Sequence, residues 1–341
     1  MDAARLTLFL LTSFPYASTQ RVLSEIRRRF ATLQLQAPSL PDLAGAAVLP
    51  VEAPPSVEPA VLTEQWSDPG FLSEWLGRPA RLGGVVALLD AHRMLGDLSS
   101  DDRLADRGWA ATPFDGRSVA DLLVEQIESA SIVVLLDPDD RLEATRRKVR
   151  VLNPTARIAS CSSDDLELPP RLLSVEATPH SVSTPPWLRA LRGAPPWHEG
   201  FREGHCLDFR RRLPFDPERL ARWLERPLPG LVRGKGYLWL SDRDDERIGY
   251  SRAGSLQRTF QAGGWWASAA PGRWPACPTQ AADLLSRWDP RVGDREQRLV
   301  LIGDDFDPVE LERSLDECLV SDSARGGVWG LGSHPGGAAF H

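Results

Sequence analysis

Cysteine is scarce in this 341-residue chain: the four present, Cys161, Cys206, Cys277 and Cys318, lie far apart and form no Cys-x-x-Cys pair. Such spacing signals neither a structural zinc motif nor a disulfide framework, and it reads as a reducing, cytoplasmic setting. No apolar run is long enough to span a membrane. Leu6–Leu11 imitates a secretory core, but it is short, Asp2 sits in the would-be basic region, and an amphipathic segment follows directly. Positive charge is also in deficit: 40 Lys and Arg against 47 Asp and Glu give a net charge of −7, which argues against a general nucleic-acid binder. The few histidines are scattered through linker, loop and tail, so no Ser-His-Asp or Cys-His set is indicated.

The remaining composition, 42% hydrophobic and 26% charged, is that of an ordinary globular protein, and the length allows two domains. From residue 6, Leu-Thr-Leu-Phe-Leu-Leu reads as a buried strand. After a tight turn, Val22, Leu23, Ile26 and Phe30 recur at helical spacing. Strands at 46–50, 84–90, 131–136 and 157–160 alternate with helices at 69–76, 119–130 and 142–152, which predicts an α/β domain over residues 1–175 with a parallel sheet covered on both faces. Pro179, Pro185, Pro186, Pro195 and Pro196 make 176–200 a Pro-rich linker without a regular helix or central strand.

Residues 201–322 read as a smaller α+β domain. Strands at 206–213, 231–240, 246–253, 256–267 and 297–302 predict an antiparallel sheet with helices on one face. Two helices begin at Phe-Asp-Pro, with Asp216 and Asp307 as caps, Pro217 and Pro308 in the first turn, and Glu310 closing a capping box. Residues 323–341, rich in Gly, Ser and Ala, read as a flexible tail.

Strand, turn and helix over residues 6–30 form the place where an α/β nucleotide-binding domain carries its phosphate loop. Such a loop needs glycines, so that backbone N–H groups close around phosphate, and a Lys-Ser/Thr pair for charge and Mg²⁺. This turn offers Ser13, Pro15, Tyr16, Ser18 and Thr19, with neither glycine nor lysine. Ser13, Ser18 and Thr19 either cradle an anion at the helix N-terminus, or Ser18 or Thr19 simply caps it. Asp137, Asp139 and Asp140 form either a hard-cation site or a solvated turn around Pro138. His205 and Cys206 are adjacent on a strand and point to opposite faces, a poor chelate. Arg233 and Lys235 share a strand face. With Arg295 they make a cationic patch for a partner or nucleotide edge, or else salt bridges to the acidic turns at 242–246 and 304–305. Trp239, Trp265 and Trp266 read as core or sheet-face residues, and part of such a surface can serve as a protein interface.

Leu231-Val-Arg-Gly-Lys-Gly-Tyr-Leu-Trp-Leu240 resembles the R-x-K-G-x-x-W signature of the CobW-type metallochaperone G-proteins. The likeness continues in Pro214-Phe-Asp-Pro-Glu-Arg-Leu220, in Gly263-Gly-Trp-Trp266, in residues 293–303 and in Leu315-Asp-Glu-Cys-Leu319. In the N-terminal half, Val85–Asp90, Asp121–Ala130 and Val151-Leu-Asn-Pro-Thr-Ala-Arg157 are similar in outline, so the resemblance covers most of residues 5–320. It implies a P-loop-NTPase-like G-domain followed by the CobW C-terminal domain. The departures fall on the chemistry. Thr12–Arg21 replaces the family's T-G-F-L-G-A-G-K-T-T, with Thr19 at the lysine position. Leu136-Asp-Pro-Asp139 replaces N-K-x-D, keeping only Asp139, and the Cys-x-Cys-Cys metal motif is absent.

The resemblance with these losses implies a pseudo-GTPase, an interaction or accessory protein in zinc or cobalt homeostasis, with no cofactor expected. Its partner would be a protein: an intact paralogue, a metal client or a ribosome-associated factor. The candidate contacts are Arg233, Lys235, Trp239, Trp265 and Arg295. The alternatives are an active GTP- and Mg²⁺-dependent metallochaperone with a rearranged site at Ser13, Ser18, Thr19 and Asp139, or a recruiter of a ribosome-associated factor.

Overall fold

The computed structural model describes residues 6–35, 41–43, 46–165, 184–199 and 201–320. Two compact units divide the chain, the first running to Gly204 and the second from His205, the turn 253–256 excepted. The expected tail 323–341 and residues 176–183 of the linker lie outside the described residues.

The first unit is built on a parallel sheet. Strands β1 (Leu6–Ser13), β2 (Leu33–Gln34), β3 (Val48–Glu52), β4 (Ala80–Asp90), β5 (Ile132–Leu136) and β6 (Arg157–Cys161) lie in the order β2-β3-β1-β4-β5-β6. Alternation along β1 explains why both faces are covered. Phe9 and Leu11 pack with Val22, Leu23 and Ile26 of helix α1 (Ala17–Arg29). Leu6, Leu8 and Leu10 face the other way, onto Trp66 of α2 (Pro59–Trp66) and Leu72 and Leu76 of α3 (Pro69–Leu76). Three more helices complete the unit's main layers: α4 (Ala91–Ser99), α5 (Val119–Ser129) and α6 (Leu142–Leu152). Helix α5 begins with a reciprocal capping box between Ser118 and Asp121.

The chain leaves β1 toward β3 on one side and returns to β4 on the other, so the strand order reverses at β1. In open parallel sheets, ligands settle in the crevice outside the carboxyl ends of the strands at such a reversal. In this chain that crevice opens beside the turn at 14–16.

A short helix, α7 (Pro186–Leu191), stands within the segment expected to be free of regular structure. Its prolines permit it: Pro186 occupies the first turn, where its missing N–H costs nothing.

The second unit carries β7 (His205–Arg211), α8 (Pro217–Leu224), β8 (Leu231–Leu238), β9 (Glu246–Ala253), β10 (Leu256–Gly264), α9 (Pro278–Ser286), β11 (Gln297–Gly303) and α10 (Pro308–Asp316). Its sheet runs β10-β9-β8-β11-β7, with β11 antiparallel to both β7 and β8. Leu207, Phe209, Leu299 and Leu301 of the sheet pack against Leu220 and Trp223 of α8 and Leu311 and Leu315 of α10. Both Asp-Pro caps form: Asp216 accepts from Arg219 N, and Asp307 from Val309 N and Glu310 N. The signature glycines are packing residues. A Cβ on Gly234 would stand 2.7 Å from the Tyr250 ring, and Gly236, at φ +154°, runs against the Arg298 carbonyl.

Candidate functional site

At the carboxyl end of β1, the turn Phe14-Pro15-Tyr16 leads into α1, whose N-cap is Tyr16 without any side-chain cap. Neither Ser18 nor Thr19 caps the helix, because both lie inside its first turn and point inward. Thr19 is fully buried and donates to the carbonyls of Phe14 (2.5 Å) and Tyr16 (2.9 Å). Ser18 donates to Asp90 Oδ2 at 2.6 Å, while Asp90 Oδ1 caps α4 by accepting from Arg93 N. Two of the three hydroxyls expected to cradle an anion, Ser18 and Thr19, are thus committed to partners within the protein.

Aromatic rings occupy the turn. Phe14 stacks on Trp109, with centroids 4.7 Å apart, and Tyr16 meets both edge-on at 6.2 and 5.6 Å. Polar contacts fix Tyr16 in place. Its hydroxyl donates to Asp97 at 2.7 Å, accepts from Arg107 at 3.2 Å, and Arg93 lies 5.6 Å from the ring centroid. Burial raises the Tyr16 phenol well above its usual range, with the Asp97 hydrogen bond adding to it. Burial also raises the Asp97 carboxyl, against the Tyr16 hydrogen bond and the Arg107 charge. Arg107 in turn bridges Asp97 and Asp102. Sequence patterning alone misses this cluster: Phe14 and Tyr16 are visible in the turn, but Trp109 comes from a segment without periodicity.

Asp139 lies across an open groove of about 750 Å³, whose lining includes His92, Arg93, Asp97, Arg107 and Arg141. Arg141 grips Asp139 through Nε at 3.0 Å and Nη2 at 2.7 Å, and His92 Nδ1 lies 3.0 Å away. The Arg141 hydrogen bonds hold the Asp139 carboxyl down at about 2. Asp137, at φ +49°, is held by Ser163, whose backbone N–H and hydroxyl donate to its two oxygens. Ser13 opens instead onto a separate cleft of about 220 Å³ beside Pro15, Arg27 and Glu52. Ser13 and Asp139 therefore line different cavities. Among the described residues, no group of three or more His, Cys, Asp and Glu is placed to hold a metal ion.

In the second unit, Arg233 and Lys235 share the sheet face opposite the core, opposite Ile302 and Val300 of β11. Arg233 is buried and reaches the Arg252 carbonyl. Arg295 lies elsewhere. It donates to Asp244 O at 2.8 Å and Ser268 Oγ at 2.8 Å, and pairs with Asp244 and Asp245, which is the salt-bridge reading of the acidic turn at 242–246. Trp239 and Trp265 form a small buried cluster with Val292, their indoles donating to Asp244 Oδ1 and Glu246 O. These five residues do not make one surface.

Residues 205–319 match the model of the cobalamin synthesis protein cobW C-terminal domain. The chain is 28% identical over 260 residues to zinc-regulated GTPase metalloprotein activator 1 of Dictyostelium discoideum, an alignment covering 71% of this chain and 53% of that protein. It is 31% identical over 245 residues to a zinc chaperone of Mycobacterium tuberculosis, covering 71% and 57%. The chain thus spans about half the length of these curated relatives. Among solved structures, the Zn(II)-bound YjiA GTPase of E. coli aligns with 93% of this chain and 99% of its own at 15% identity, with a TM-score of 0.37. No helix among the described residues is long and apolar enough to cross a membrane.

Proposed function

The chain is a CobW-type protein, and from that premise we propose that its first domain is a pseudo-GTPase, a nucleotide-domain scaffold kept for protein interaction in zinc homeostasis. The single observation that carries this reading is the turn after β1. Phe14 and Tyr16 stand there against Trp109, and the inward-pointing Thr19 replaces the lysine. A triphosphate at this turn would forgo a charge-assisted contact worth about 1.5–3 kcal/mol, and Pro15 offers it no N–H. Asp90 and Asp139, the remaining acidic remnants, already accept hydrogen bonds from Ser18 and Arg141. The zinc setting rests on the names of the relatives, a zinc-regulated activator and a zinc chaperone.

Phosphate release from GTP with Mg²⁺ tests the reading. The expected result is no turnover above the uncatalysed background, with or without zinc. Steady turnover would overturn it.

The arginine-lined groove beside Asp139 favours a second reading, a rearranged nucleotide site in which this groove takes GTP. Stoichiometric GTP binding that survives Thr19→Ala but is lost in Arg93→Ala would support it. Binding unaffected by Arg93→Ala would sink it.

A further inference from the structure

The outer face of the C-terminal sheet carries open aromatic rings among guanidinium groups. Leu238, Ile248, Tyr250 and Leu299 enter the core, so Tyr237, Arg247, Gly249 and Arg298 face outward by strand alternation. Phe260 of β10 joins them, because its ring lies over Gly249, where a Cβ would come within 2.5 Å of two ring carbons. Arg258, two residues earlier on the same strand, shares that face. Tyr237 is 38% exposed and Phe260 48%, among the few large hydrophobic side chains left open in the described residues. The Arg247 guanidinium lies 4.8 Å from the Tyr237 ring centroid and donates to the Ala262 carbonyl, bridging β8 and β10. Arg210 and Arg298, outward-facing on β7 and β11, are paired with Glu296 and Asp208. Arginines outnumber carboxylates across this face. Because β10 is the edge strand and residues 258–261 are exposed, the patch runs out to the rim of the sheet.

We propose that this face binds single-stranded nucleic acid, with bases stacking on Phe260 and on the Tyr237–Arg247 pair and phosphates meeting Arg210 and Arg258. Open rings on an antiparallel sheet present π-faces that any base can stack on, and flanking arginines follow the backbone. An acidic protein segment would use the charges but leave the rings without a partner. The net charge of −7 does not oppose the site, since it is a property of the whole chain while the cation excess is local. The proposal is independent of whether the first domain binds GTP.

Fluorescence anisotropy of a short labelled oligouridylate with the full chain tests it. Micromolar binding at low salt is expected, weakening as salt rises. Phe260→Leu, which keeps the apolar contact with Gly249, and Tyr237→Ala should each weaken binding at least about fivefold. Arg258→Gln should flatten the log–log salt slope by about 0.7. Phe114→Ala, at a ring 95% exposed in the first domain, should change nothing. No binding at low salt would overturn the proposal, and so would binding indifferent to Phe260→Leu and Tyr237→Ala. Equal competition by polyglutamate, with the ring variants unaffected, would make the face a site for acidic protein and overturn the nucleic-acid assignment.

Discussion

Asn153 shows how a residue of the family motif acts through packing. Buried at the end of α6, its Nδ2 donates to the carbonyls of Ile127 and Ala130 at 2.8 Å, closing the C-terminus of α5, while its Oδ1 accepts from Thr155 and Ala156. Asn153→Ala should cost about 3 kcal/mol, several buried hydrogen bonds at about 1 kcal/mol each, measured by urea unfolding. A loss under about 1 kcal/mol would contradict that accounting. The cysteines offer a second residue-scale test. All four are free thiols. Cys277 is exposed at the start of α9, where the nearby backbone N–H groups of Gln280 and Thr279 pull its thiol below the usual range. Burial pushes Cys206 up to about 12 and raises Cys318. Cys277 should therefore react first with a disulfide reagent near neutral pH, and the reactions of Cys206 and Cys318 should lag until the pH is well above their usual range. Peptide mapping of the first labelled site checks it.

At the scale of elements, the strand–turn–helix at 6–29 decides between scaffold and site. Thr19→Lys restores the family's residue, yet the position is fully buried and faces the Phe14 and Tyr16 carbonyls. The variant should lose about 3 kcal/mol or more and gain no GTP affinity, as read by unfolding and by nucleotide titration. A stable Thr19→Lys protein that binds GTP would show that the turn is only one substitution from function.

Much of this level was legible in the sequence. The apolar runs of β1, β4 and β5 announce a buried parallel sheet, and the two Phe-Asp-Pro starts place their helices by cap chemistry. The helices at 59–66, 91–99 and 278–286 escaped, although Ala91, Met94, Leu95 and Leu98 do stand at helical spacing. The aromatic cluster escaped because Phe14, Tyr16 and Trp109 meet only in three dimensions. The burial of Arg233 escaped because a charge reads equally well as surface and as packed sheet, whereas Trp239 and Trp265 read as core or sheet-face residues and are buried.

At the scale of the whole molecule, arginine–carboxylate pairs set the response to acid. Asp115, clamped by the Arg117 side chain, and Asp139, clamped by Arg141, are both held down at about 2. Their folded values lie below the unfolded carboxylate range, so their contribution is complete above about pH 4 and disappears as pH falls toward 2. Thermal unfolding should show a midpoint that declines across that window, and Asp115→Asn should shrink the decline. An unchanged profile in the variant would remove Asp115 from the explanation. The same scale holds the central claim, that the CobW-type architecture persists here without its nucleotide chemistry. Calorimetric titration of the full chain with GTP and Mg²⁺, beside ATP and a zinc control, tests it most directly. No heat of binding is expected for either nucleotide; stoichiometric GTP binding at micromolar affinity would mean that the nucleotide site still works.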